Sequence, residues 1–106
     1  MAAIDYMKVL DIAVQTLDIS SQVEIQAIDL TIFQAVITKP DKTKVEIKIN
    51  VKKYELEIIL NKNIFDRNEF LKWLNKFEYN LEQNFFKNIS LTRSENKTDY
   101  TIKIAY

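Results

Sequence analysis

The apolar residues near the start of the chain recur with the period of an α-helix. Over residues 3–18 one side of a helical wheel carries an apolar stripe made of Ala3, Met7, Leu10, Val14 and Leu17. Ile4 and Ile12 lie among the polar residues on the other side of this wheel. They are either scattered exposed side chains, which are common, or a second contact face for another subunit or a bound partner.

Residues 23–60 alternate between apolar and polar side chains, which is the two-residue period of β-strands. The alternation changes phase near Asp29 and again at Lys52–Lys53, and the only proline, Pro40, lies in a predicted turn between them. A change of phase requires a turn or a bulge, because one strand face must stay on the core. The pattern fits either four short strands in a meander or two long strands bent at matching bulges. Because neither break contains the Gly that two-residue hairpins favour, the long bent hairpin is preferred.

The segment that follows Asp66 has the clearest helical pattern. Asp66 and Glu69 have the spacing of a capping box, in which each side chain accepts a hydrogen bond from the other residue's backbone N–H. Behind it, steps of three and four residues connect Phe70, Leu74, Phe77, Leu81 and Phe85. Aromatic stripes of this kind are far more often core than ligand sites, and we interpret this one as core. Tyr79 points the opposite way, as does Phe86 if the helix extends that far.

Residues 88–106 return to the strand pattern, with turn-forming residues at 94–97 between two alternating stretches. The element order is therefore helix, strands, helix and two strands. Two amphipathic helices bury their apolar stripes most simply against one face of an antiparallel sheet. We predict a single α+β domain over residues 1–106, with a sheet of four to six antiparallel strands and both helices on one face.

The composition excludes most common catalytic and metal-binding chemistries. The 106 residues include no His, no Cys and no Gly. Such a chain has no zinc finger, thiol nucleophile, His-based triad, disulfide or glycine-rich phosphate loop. Glu55 and Glu57 share a predicted strand face, but paired acids on a solvated face are ordinary, and no calcium-loop spacing is present. We expect no enzymatic activity, no cofactor, no metal and no small-molecule substrate.

Charge is unevenly distributed along a chain whose 15 basic and 15 acidic residues balance. Residues 1–38 contain one Lys and five acids, whereas residues 39–53 contain six Lys and two acids. The six basic residues are Lys39, Lys42, Lys44, Lys48, Lys52 and Lys53. A row of Lys along one strand can follow a phosphate backbone, which makes nucleic-acid binding the alternative function. Lys residues also protect edge strands from aggregation, and Glu46 interrupts this row.

An acidic first helix and a basic strand on one chain are complementary across a two-fold axis. We therefore predict a non-enzymatic protein-interaction module, of adaptor, inhibitor or chaperone-like type, that also forms a homodimer through its first helix or through an edge strand. The candidate contact residues are Ile4, Ile12, Tyr79 and Phe86. No apolar run approaches the ~20 residues that span a bilayer, and the N-terminus lacks a signal segment. We expect no membrane association and a cytoplasmic location.

Overall fold

The chain folds into two helices and six strands over residues 5–17, 22–84 and 89–105, which are the residues described by a computed structural model. In chain order the elements are α1 (Tyr6–Thr16), β1 (Gln22–Ala27), β2 (Ile32–Thr38), β3 (Lys44–Val51), β4 (Glu55–Asn61), α2 (Arg67–Asn84), β5 (Ser90–Glu95) and β6 (Asp99–Ala105). This order confirms the predicted α+β class.

The described strands form one antiparallel sheet in the order β1-β2-β3-β4-β6-β5. The turn at Pro40 lies where the sequence predicts it, because Thr38 and Lys44 pair on either side of it. β1 then folds back on β2, and β4 folds back on β3. The meander interpretation of residues 23–60 is therefore correct, and the long bent hairpin that we preferred is wrong.

The two phase breaks form turns without Gly in different ways. The first loop is longer than two residues, whereas in the second the backbone N–H of Lys52 donates to the carbonyl of Glu55 at 2.9 Å, which leaves only Lys53 and Tyr54 between these residues. Residues 28–31 connect β1 to β2, and residues 52–54 connect β3 to β4. In the first loop the backbone N–H of Leu30 donates to Oδ1 of Asp29 at 2.7 Å. Neither loop uses the paired positive φ angles that two-residue hairpins with Gly adopt. Of the described residues, only Lys42 in the Pro40 turn has a positive φ, of 70°.

The core lies between one face of the sheet and the two helices. Alternate residues of the central strands are buried in it: Ala35, Ile37, Val45, Ile47, Ile49, Leu56, Ile58, Leu60, Tyr100, Ile102 and Ile104. From α2 the buried residues are Phe70, Trp73, Phe77 and Leu81. This confirms three members of the predicted α2 stripe, whereas Leu74 is only half-buried and Phe85 lies outside the described residues.

The capping box at the start of α2 is formed as predicted. The N–H of Glu69 donates to Oδ1 of Asp66 at 2.8 Å, and the N–H of Asp66 donates to Oε1 of Glu69 at 3.2 Å. The first bond satisfies a backbone N–H that the first helical turn leaves free, and the second satisfies the N–H of the residue that precedes the helix. The pair fixes where α2 begins and therefore which of its side chains face the sheet.

The buried face of α1 is rotated from the predicted stripe. Its buried residues are Val9, Leu10, Ile12, Ala13 and Thr16. The helix packs on both β3 and α2, and Nε1–H of Trp73 donates to the carbonyl of Ala13 at 3.1 Å. Because two sides of α1 are covered, Ile12 is only 6% exposed. This corrects the prediction that Ile12 faces solvent or a partner, since the second contact face belongs to the chain's own core.

Candidate interaction surface

β1 is an edge strand that contains no buried residue. All six of its residues are exposed, although β2 pairs with it along its whole length. Within the described part of the chain no strand lies on its other side. An edge strand of this kind presents a row of backbone N–H and C=O groups that can pair with another chain.

Two apolar side chains of β1 extend the core face of the sheet beyond the core itself. Val23 lies opposite Ile37 and Ile25 lies opposite Ala35, so each pair shares the face that carries the helices. Val23 and Ile25 are nevertheless 44% and 43% exposed, whereas their buried partners are almost completely covered. The helices therefore cover the sheet as far as β2 and leave Val23 and Ile25 partly exposed on β1. We refer to these two side chains as the apolar shelf.

The turn that follows β1 adds two more exposed apolar side chains. Ile28 is half-exposed, and Leu30 is 94% exposed. Single exposed apolar residues are ordinary, but these four lie within residues 23–30 at one edge of the sheet. We refer to β1 together with Ile28 and Leu30 as the β1 surface.

The opposite edge of the sheet, β5, is protected where β1 is not. Arg93 and Glu95 lie on β5, and Oε2 of Glu95 is 2.6 Å from Nζ of Lys62. Charged side chains on an edge discourage pairing with another strand. β1 carries one charged residue, Glu24, and has neither the Lys nor the Pro that protects many natural edges. The difference makes the β1 surface the candidate site for a protein partner.

The ion pair at Glu95 gives a prediction for the pH dependence of stability. A hydrogen bond from Lys62 holds the pKa of Glu95 below its usual value of 4.5, and the charges of Lys62, Arg67 and Arg93 act in the same direction. Because the pKa is lower in the folded state, the pair stabilises the protein above pH 4.5, and this stabilisation is lost as the pH falls through the folded-state pKa. We expect Glu95→Gln to flatten the decrease of Tm below pH 4.5 in thermal melts. Because Lys62 makes the largest contribution to the lowered pKa, the change is expected to be smaller in a Lys62→Gln background, and an equal change there would contradict this assignment.

The lysines of the predicted basic row are divided between different parts of the structure. Lys44 and Lys48 lie on β3, on the sheet face away from the helices, with Glu46 between them on the same face. Lys39 and Lys42 lie in the turn that precedes β3. These four form a loose basic area that also contains the acids Asp41 and Glu46, and not a continuous row.

The two remaining lysines lie beyond the end of β3. Nζ of Lys52 is 3.3 Å from Oε2 of Glu57 and 3.8 Å from Oε2 of Glu55, so carboxylates of the next strand offset its charge. Nζ of Lys53 lies 5.3 Å from the centre of the Tyr54 ring. Glu55 and Glu57 lie on the sheet face away from the helices, since Glu57 pairs with Asn50 and the alternate residue Leu56 is buried. Lys52 therefore reaches the same face as Lys44 and Lys48, although it lies beyond the end of β3.

The structure describes two of the four predicted protein contacts and does not bring these two into one surface. Ile12 is in the core, and Tyr79 is 61% exposed on α2. Ile4 and Phe86 lie outside the described residues, so the comparison concerns Ile12 and Tyr79 alone. The sequence reasoning missed Val23 and Ile25, because their alternating pattern is the same as that of buried strands. The lack of Lys and Pro in β1 gives no signal, because the interior strands β2 and β4 lack them as well.

The concave regions of the described chain offer little to a small molecule. A cavity of about 250 Å³ beside Arg67, Arg93 and Tyr100 is smaller than a typical ligand pocket. The wider groove beside Trp73 on α2 is open to solvent. Residues 5–17, 22–84 and 89–105 contain no cluster of three or more metal-binding side chains. Neither described helix has the length and apolar character needed to cross a membrane.

Comparison with known proteins finds no matching family model, no matching curated protein and no matching solved structure.

Proposed function

We propose that the protein is a small, non-enzymatic interaction module of the cytoplasm, with an adaptor, inhibitor or chaperone-like role, that binds a protein through the β1 surface. The observation that supports this proposal is the combination of an unprotected sheet edge with the exposed shelf of Val23 and Ile25. An extended segment of another protein can add to such an edge as a further strand.

The β1 surface offers both affinity and selectivity to an added strand. Backbone hydrogen bonds along β1 supply affinity that does not depend on the partner's sequence. Apolar residues at alternate positions of the partner would cover Val23 and Ile25, which contributes roughly 1 kcal/mol for each side chain that is about half exposed beforehand. A partner with polar residues at those positions would gain only the backbone hydrogen bonds. The shelf therefore favours a segment that has apolar residues at alternate positions.

Replacement of Ile25 by Lys tests this proposal. A Lys at this position places a charge where the added strand must pack, which is how natural edges avoid pairing. We expect Ile25→Lys to remove at least nine-tenths of the protein partner captured from a host extract, measured by quantitative mass spectrometry after nuclease treatment. Because Ile25 is exposed, the circular dichroism spectrum and Tm of the variant stay close to those of the wild type.

The matched control for this experiment is the double variant Lys44→Glu/Lys48→Glu. These residues lie on the opposite sheet face, so the variant keeps the partner if β1 is the site. Capture that survives Ile25→Lys contradicts the proposal.

Nucleic-acid binding is the second candidate, and the shared exposed face of Lys44 and Lys48 is what favours it. In that case the double Lys variant loses binding, nuclease abolishes capture and affinity falls steeply with salt. Glu46 lies between the two lysines, and Lys52 is paired with carboxylates, so this area offers few phosphate contacts.

A further inference from the structure

We propose that the β1 surface binds a second copy of this chain, with the two β1 strands antiparallel and Ile25 on the two-fold axis. This inference rests on the proposed function of β1 as a protein-binding edge. The two six-stranded sheets then form one continuous sheet with all four helices on the same face.

Two-fold symmetry restricts the registers in which β1 can pair with itself. If residue i of one copy lies opposite residue j of the other, residue j also lies opposite residue i, so the sum of the two numbers is constant along the strand. Residues that lie opposite one another share a sheet face. The odd-numbered residues of β1 lie on the helix face, as the pairing of Val23 with buried Ile37 shows, so the sum must be even.

Only two of these registers pair five of the six β1 residues. One centres on Glu24 and has a sum of 48, and the other centres on Ile25 and has a sum of 50. Registers centred on Val23 or Gln26 pair only three residues of the strand. The choice therefore lies between an axis at Glu24 and an axis at Ile25.

Charge separates the two remaining registers. An axis at Glu24 places this carboxylate directly opposite its own copy, which is unfavourable. An axis at Ile25 places Glu24 opposite Gln26 of the second copy, where the amide can donate to the carboxylate. On the helix face it places Ile25 against Ile25 of the second copy, and Val23 against Ala27 of the second copy. Apolar side chains thus meet apolar side chains, and the shelves of the two copies become one.

The whole-molecule charge does not oppose this arrangement. The formal net charge of the chain is zero, so two copies have no net repulsion to overcome. The two β5 edges, with their charged side chains, become the outer edges of the combined sheet. Pairing through β1 therefore removes the unprotected edges and leaves the protected ones.

Disulfide trapping tests the register directly, because the chain has no Cys of its own. In Ile25→Cys the two thiols lie opposite one another, with Cα atoms about 4.5–5.5 Å apart. This separation lies within the range that a disulfide accepts. The matched control is Gln26→Cys, in which the two thiols are offset by two residues along the strands and lie roughly 8 Å apart.

We expect Ile25→Cys to form a covalent dimer in a glutathione redox buffer to an extent at least tenfold greater than Gln26→Cys. A mixture of Val23→Cys and Ala27→Cys is expected to form the mixed dimer in excess of either homodimer. Equal cross-linking of Ile25→Cys and Gln26→Cys overturns the proposal, because it indicates random collision. A mixed dimer of Val23→Cys with Ile25→Cys that forms in preference to the Ile25→Cys homodimer also overturns it, because it places the axis at Glu24.

Light scattering after gel filtration separates this inference from the proposed function. At tens of micromolar the wild type is expected to have twice the chain mass of 12.5 kDa, and Ile25→Lys is expected to be monomeric. A monomeric wild type together with capture of another protein that depends on Ile25 overturns the homodimer and leaves the proposed function intact. A dimer that persists in Ile25→Lys overturns the homodimer through β1, and capture that survives this substitution contradicts the proposed function separately.

Discussion

Replacement of Phe77 by Ala is expected to lower the free energy of unfolding by about 3–5 kcal/mol, which is the usual cost of removing a fully buried ring. Phe77 has no exposed surface, and its ring stacks on Trp73 with centres 4.8 Å apart. The substitution leaves a cavity between α2 and the sheet that the neighbouring rings fill only in part. A domain of this size is stabilised by roughly 5–15 kcal/mol, so the loss is a large fraction of the total.

Urea denaturation followed by circular dichroism measures this loss, and Tyr79→Ala is the matched control. Tyr79 lies two residues further along the same helix and is largely exposed. Its removal is expected to cost less than about 0.5 kcal/mol. Similar losses for the two variants would mean that the face of α2 assigned to the core is incorrect.

The elements that the sequence predicted well are those whose burial follows a simple local period. α2 is covered on one side, so its apolar spacing identifies Phe70, Phe77 and Leu81 as core. The central strands have one covered face, so their alternation identifies the core side as well. The capping box is also local, because its two residues are three positions apart.

The interpretation of the phase breaks failed because the chain makes both turns without the positive φ angles that favour Gly. We took the lack of Gly at Asp29 and at Lys52–Lys53 as evidence against turns. That argument applies to hairpins whose turn residues have positive φ. Neither loop contains such a residue, although the hydrogen bond from the Lys52 N–H to the Glu55 carbonyl leaves only two residues in the second one. A change of phase is compatible with a bulge and with a turn, so the alternation alone does not decide between them.

The β1 surface could not be predicted because strand order is not a local property. Val23 and Ile25 alternate with polar residues in the same way as Val45 and Ile47, yet only the second pair is buried. The difference arises because β1 lies at the edge of the sheet, beyond the area that the helices cover. The division of the lysines has a similar origin, since the carboxylates that pair with Lys52 come from the next strand.

The misplacement of Ile12 shows the limit of a helical wheel. A wheel assigns one buried side to each helix, whereas α1 is covered by both the sheet and α2. Ile12 lies among polar residues on the wheel because Asp11 and Gln15 flank it, and the structure exposes both of them. Ile12 and Ile25 therefore differ in burial, because Ile12 lies in the core and Ile25 lies on the candidate interface. A charged substitution is therefore expected to lower stability at Ile12 and to remove binding at Ile25.

Ile12→Asp is expected to unfold the protein or to lower its free energy of unfolding by more than about 4 kcal/mol, because it buries a carboxylate without a partner among apolar side chains. The far-ultraviolet circular dichroism spectrum and a urea titration at neutral pH measure the effect. Gln15→Asp adds the same carboxylate to an exposed position of the same helix. Its expected cost is only about 1 kcal/mol, from the lost hydrogen bond between Nε2 of Gln15 and Oδ2 of Asp11 and from two carboxylates four residues apart. If Ile12 instead faced a partner, Ile12→Asp would keep the wild-type stability of the monomer and lose only self-association. Unfolding by Ile12→Asp, together with a folded monomer for Ile25→Lys, assigns the first residue to the core and the second to the interface.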